Sequence, residues 1–187
     1  MDSELIAQII SIGGMSMNVL SFQRKEQKQI IFMQLLGSTL FAVSYFMIGA
    51  FVGGMLNVVG MIRAIVYYKR ELFRTDKIYW VWGLSAAYVA IYVTTFALLG
   101  TEPSAGNLAV EALPTVGMII TTFSFYLGKA SAVRFIGIVN SPLWLIYNIV
   151  EFNIGGIITE VIVIASIIIA ILRYDLKRDK EKNKNQR

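Results

Sequence analysis

Hydrophobic positions along this chain form long unbroken blocks, unlike the alternating or one-faced patterns of water-soluble strands and helices. The blocks run Glu4–Phe22, Ile30–Ile48, Phe51–Tyr68, Ile78–Leu99, Asn107–Leu127, Val133–Val150 and Ile154–Tyr174. Each approaches the roughly 20 residues that a bilayer-spanning helix needs. The joints after the second and sixth blocks, Gly49-Ala50 and Glu151-Phe152-Asn153, are very short and predict tight antiparallel hairpins. Fusing either pair into one helix would give a span too long for any bilayer. The pattern predicts an all-α integral membrane protein with seven transmembrane helices.

The blocks also repeat. GMSMNVLSF, Gly14 to Phe22, returns as GMIITTFSF, Gly117 to Phe125, both of the form G-M-x5-S-F. Tyr45-x7-Gly53-Gly54 returns as Tyr147-x7-Gly155-Gly156. The offset shrinks by one residue between the two motifs, and the change falls in a joint, where length is free to vary. Helices one to three therefore correspond to helices five to seven, with helix four as a linker. An odd number of intervening helices gives both triplets the same orientation, as 3+1+3 parallel repeats related by an axis along the membrane normal. The expected divisions are residues 1–70 for the first triple-helix bundle, 71–104 for the linker helix with its loops, 105–174 for the second bundle, and 175–187 for a basic tail.

Charge orients the chain. Every Lys and Arg except Arg63 falls on one side: Arg24, Lys25 and Lys28; Lys69, Arg70, Arg74 and Lys77; Lys129 and Arg134; and the tail from Arg173. The positive-inside rule makes that side cytoplasmic, with the N-terminus outside and the C-terminus inside. The opening Met1-Asp2-Ser3-Glu4 lacks the basic start of a signal peptide, so the first block is expected to remain as a helix. Composition agrees: 56% of the 187 residues are hydrophobic and the mean hydropathy is +0.63. The net charge of +5 follows from the one-sided basic residues and does not imply nucleic acid. The chain has no Cys and no His, which excludes disulfides, thiol nucleophiles and zinc sites of the usual kind. No cofactor and no metal is expected.

The 3+1+3 plan and the chain length resemble the SWEET or MtN3 (PQ-loop) superfamily. Tyr45-Phe46-Met47-Ile48-Gly49-Ala50, followed by Gly53-Gly54, Asn57 and Arg63, resembles the bacterial inner-membrane YgjV family within it. The resemblance implies a multi-pass protein of the bacterial cytoplasmic membrane. It also implies a solute pocket lined by an Asn on the third helix and a Trp on the sixth, here Asn57 and Trp144. The chain contains no Pro-Gln dipeptide, and only Pro114 and Pro142 stand where helix-bending prolines of the repeats would lie.

Polar side chains inside the blocks are the candidate chemistry, because they are costly in hydrocarbon and usually face the bundle interior. The repeat pairs Gln8 with Glu111, Asn18 with Thr121, Ser38 with Asn140, Ala42 with Trp144, and Asn57 with Thr159. Ser38, Asn57, Asn140, Trp144 and Thr159 are the expected substrate-binding set, since amides and hydroxyls suit a small polar solute. The same residues could instead bond neighbouring helices. Glu160 must be protonated, paired or wetted, and protonation makes it the candidate proton-coupling group. Arg63 is its one intramembrane counter-charge, but the repeat register puts it deeper, and snorkelling to the cytoplasm is the expected role. Glu111 is expected to reach outer water. Pro114 and Pro142 are candidate gates or static bends. The paired glycines, Gly13-Gly14, Gly53-Gly54 and Gly155-Gly156, with Gly60 and Gly117, are expected to let helices approach closely.

These features predict a transporter or facilitator of a small polar solute, working between the two bundles and open to proton linkage. A non-transporting membrane component, such as a receptor, lipid-binding or assembly factor, is the alternative. An enzyme is not expected, because no His, Cys or carboxylate pair is gathered in one place. The expected partners are the solute and the lipid bilayer, with no nucleic acid; the sequence leaves room for a homo-oligomer.

Overall fold

The computed structural model describes residues 3–49, 51–98, 102–150 and 154–176. The joint residues 50 and 151–153 and the tail beyond Leu176 lie outside the described residues. Among the described residues eight α-helices follow in order: α1 Ser3–Phe22, α2 Gln27–Met47, α3 Phe51–Tyr68, a single-turn α4 Arg70–Phe73, α5 Tyr79–Leu98, α6 Ala105–Tyr126, α7 Ala130–Val150 and α8 Ile154–Ala170. A π-helical turn, Ile171–Asp175, extends α8. No strand occurs among the described residues. All except α4 are long and apolar enough to cross a membrane, seven spans in all, with the π turn completing the last. Helix is the outcome because lipid offers the backbone no hydrogen-bond partners, so each segment must satisfy its own.

Three of the observed helices begin two or three residues before their apolar blocks. α2 starts at Gln27, α6 at Ala105 and α7 at Ala130, so Lys28 is helical rather than in a joint. Polar first turns extend helices into the interface, where hydropathy alone does not register them. Ser104 caps α6 by accepting from the Asn107 N–H at 3.2 Å.

Six spans form a closed ring. α1 packs on α2, α2 on α3, α3 on α6, α6 on α7, α7 on α8, and α8 returns to α1. α2 also meets α7 across the ring. α5 stays outside, against α3 and α6, and turns Trp82, Val89 and Val93 outward. Glycines set several of these contacts: Gly14 faces Phe41 and the Gly37 backbone, Gly53 faces Tyr45, and Gly60 faces Met118.

The two ends of the ring differ. One end carries the α2–α3 and α7–α8 joints and is here called the hairpin end. The other carries the Lys and Arg residues and is called the basic end. The basic end is filled by a core that includes Phe22, Ile30, Ile31, Tyr67, Phe125 and Ile167. Side chains then tie it shut. Gln23 donates to the Ser166 carbonyl at 2.7 Å and to its hydroxyl at 2.9 Å, joining α1 to α8. Gln27 donates to the Phe125 carbonyl at 2.9 Å, and Arg70 to that of Tyr126 at 2.6 Å. Those carbonyls end α6, where intrahelical donors run out and a cation is favoured. Gly128, at φ +71°, turns the chain there, and any Cβ on it would sit 2.6 Å from Arg70 Nη1.

Candidate functional site

The ring encloses a cavity of about 960 Å³. Its wall runs from Ala7, Ile48 and Gly156 near the hairpin end to Phe22, Gln34 and Val133 above the closed basic end. All six ring helices contribute, and α5 does not. Ser38, Asn57, Asn140, Trp144, Thr159 and Glu160 all line it. The structure therefore brings the sequence-predicted polar set, together with the carboxylate, onto one surface.

Each side chain is held differently. Asn57 is buried on α3 and donates through Nδ2 to the Gly53 carbonyl one turn back, at 2.9 Å. Its amide oxygen keeps acceptor capacity. Asn140 Oδ1, on α7, is buried and has no hydrogen-bond partner. It lies against Gly117 of α6, so close that a Cβ there would collide with it. Trp144 Nε1, one turn along α7, would be 3.0 Å from the same Cβ. Gly117 is thus the floor on which the Asn140 amide and the Trp144 indole converge, which gives the second copy of the repeated motif a specific task. The Glu160 carboxylate is within hydrogen-bonding reach of the Ser141 hydroxyl on α7, and Tyr45 of α2 is its electrostatic neighbour.

Arg63 departs from expectation. It does not snorkel to the basic end: it is 4% exposed and lines the inner part of the cavity. Its Nη1 donates to the Met118 carbonyl at 3.2 Å and meets Met118 Sδ at 3.8 Å, and its Cζ sits 4.8 Å from the centre of the Phe125 ring. Those α6 groups turn the side chain inward, a pull that position along the chain does not register. The ion pairs among the described residues are Lys77–Asp76 and Arg134–Asp175, so Arg63 and Glu160 are not paired with each other.

The remaining candidates lie elsewhere. Glu111 is partly exposed and outside the cavity wall. Pro114 is fully buried in α6 and Pro142 is exposed on α7; both helices run through unbroken, and neither proline lines the cavity. Five polar lining residues, Ser11, Gln34, Ser44, Ser141 and Asn148, escaped the sequence reading. Gln34-Ser38-Tyr45 on α2 and Asn140-Trp144-Asn148 on α7 follow the spacing of one helix face, and that stripe was the available signal. Asn148 was hidden because its repeat partner is the apolar Phe46.

No curated protein and no solved structure matches the chain. A family model, Imp-YgjV, described as a bacterial inner membrane protein, matches residues 5–178. That match spans all seven membrane-length helices and the cavity they enclose. The chain belongs to the Imp-YgjV family, and it is a multi-pass protein of the bacterial inner membrane.

Proposed function

We propose that the protein is a transporter or facilitator of a small polar solute, which binds in the central cavity between two like-oriented triple-helix bundles, α1–α3 and α6–α8. The observation that carries this reading is the convergence of Ser38, Asn57, Asn140, Trp144, Thr159 and Glu160 on one cavity of about 960 Å³. Helix-bonding roles alone would leave those residues on separate interfaces. The unmatched Asn140 Oδ1 also favours a ligand that donates a hydrogen bond, since a buried acceptor left unpaired costs about 1–3 kcal/mol.

The contact pattern supports the repeat. Exchanging the bundles turns the α1–α8 contact into the α6–α3 contact and leaves α2–α7 unchanged. Gly54 seats against Phe46, and Gly156 seats against Asn148 at the matching position. This favours the SWEET-like plan, with the basic end in the cytoplasm under the positive-inside rule. On that orientation the packed basic end is the closed inner gate, and rocking of one bundle against the other would open it. Glu160 is the proton-coupling group of this scheme, and no chemical conversion of the solute is involved.

Thermal stabilisation of the purified protein by a panel of sugars, nucleosides, amino acids and polar lipids, at two pH values, tests the scheme. A solute that stabilises the parent but not Asn57→Ala is expected, with its pH dependence lost in Glu160→Gln. Stabilisation by lipids alone, unaffected by either substitution, would move the protein to a non-transporting receptor or lipid-binding role.

A further inference from the structure

A neutral polar solute would leave Arg63 unexplained. Its guanidinium has five N–H donors and remains protonated in any protein environment. Among the described residues no carboxylate pairs with it, its Nε has no acceptor, and its neighbours are a carbonyl, a thioether, an aromatic ring and, within hydrogen-bonding reach, the Tyr88 hydroxyl of α5. Removing a charge from water is expensive unless a counter-charge with good geometry replaces the solvent. The same chain shows what such a match looks like. Arg134, 2% exposed, donates to both oxygens of Asp175 at 2.7 Å and to the Arg24 carbonyl at 2.9 Å.

We propose that the solute carries a negative charge, as a carboxylate or phosphate group, and that Arg63 is its charge partner. This rests on the transport reading and narrows its substrate class. The position fits, because Arg63 lines the inner part of the cavity, beyond the hydrogen-bonding residues Asn57 and Asn140. The chemistry fits too. A guanidinium presents a planar fork to carboxylate or phosphate oxygens, and such charge-assisted bonds are strongest away from water. Glu160 shares the cavity but forms no ion pair with Arg63, so the protein's own acid does not fill the role.

The test uses the purified full chain in detergent and two solute series that differ only in charge: glucose, gluconate and glucose 6-phosphate; glycerol, glycerate and glycerol 3-phosphate. Ionic strength is matched, and sodium sulfate serves as the free-anion control. At least one acidic member should raise the unfolding midpoint by several degrees while its neutral parent does not. The gluconate and phosphate arms separate carboxylate from phosphate recognition. Arg63→Gln should abolish the shift. Arg63→Lys, which keeps the charge without the fork, should retain anion preference with apparent affinity weakened on the order of tenfold. Should Arg63→Gln fail to fold, the lysine variant carries the test, and an unweakened anion affinity in it would count against the proposal. Stabilisation by neutral members alone would overturn the anion inference and leave the transport reading standing. An equal anion effect in Arg63→Gln, or one reproduced by sulfate in that variant, would also overturn it. No binding in either series would remove both readings together.

Discussion

Arg134 and Arg63 are almost equally hidden, at 2% and 4% exposure, yet their surroundings are opposite. Arg134 stands in the closed basic end, where a bidentate carboxylate and a carbonyl answer its guanidinium, and the Tyr174 ring lies 5.6 Å from its Cζ. Arg63 stands at the wall of the cavity with a carbonyl, a sulfur, a ring face and the Tyr88 hydroxyl, but no carboxylate. The first arrangement joins the α1–α2 joint, α7 and the π turn after α8, so it serves the fold. The second leaves part of the guanidinium unmatched, as expected where a ligand completes the shell. Burial alone does not separate structural from functional charge in a membrane bundle; the partners do.

The largest effect should come from removing the matched arginine. Arg134→Ala leaves the Asp175 carboxylate without its counter-charge and the Arg24 carbonyl without its donor. Breaking a buried pair on one side costs about 3–5 kcal/mol. The detergent-solubilised variant should lose folded protein at a markedly lower temperature, and Asp175→Asn should weaken it in the same direction. Parent-like midpoints for both variants would show that the basic end is not held shut by this pair.

A middle-sized effect is expected at Gly117. An added methyl would run into Asn140 Oδ1 and crowd Trp144 Nε1. Overpacking of this kind costs about 1–3 kcal/mol, and here it must displace two cavity side chains. Gly117→Ala should therefore fold with a modest loss of stability while solute-dependent stabilisation disappears. A control Gly83→Ala in α5, where a Cβ would meet nothing within 4 Å, should leave solute-dependent stabilisation intact and cost no stability. Solute binding that survives in Gly117→Ala would separate the Asn140–Trp144 pair from the site.

These contrasts also mark what was legible in the sequence. The seven spans were legible because lipid forces helix and hydrocarbon thickness fixes length. The lining residues Asn57, Asn140 and Glu160 were legible because polar groups in apolar blocks must face inward, and Trp144 through the family resemblance. Arg63 was misread because spacing along the chain gives depth but not direction, and Met118 and Phe125 of another helix decide where it points. The Arg134–Asp175 pair was invisible for a related reason. Asp175 follows the last apolar block and reads as tail, and only the π turn brings it back to α7. Asn148 shows the weakness of pairing residues by sequence offset, since the position aligned with it holds the apolar Phe46.

The smallest effect on stability, and the sharpest test of the contrast, belongs to Arg63→Gln without solute. The substitution gives up a bond to a carbonyl, typically worth about 1 kcal/mol, and a ring contact of about 0.5–2 kcal/mol. Against that it removes a buried charge that no carboxylate matches, and relieving such a charge is often neutral or stabilising. The terms nearly cancel, so the unfolding free energy should change by no more than about 1 kcal/mol in either direction, far less than for Arg134→Ala. Measured side by side in the same detergent, the two variants should separate clearly. If Arg63→Gln instead fell as far as Arg134→Ala, the contacts to Met118 and Phe125 would be holding α3 to α6 as Asp175 holds α7. The cavity wall would then be a strut of the fold, and its positive charge would no longer point to a ligand.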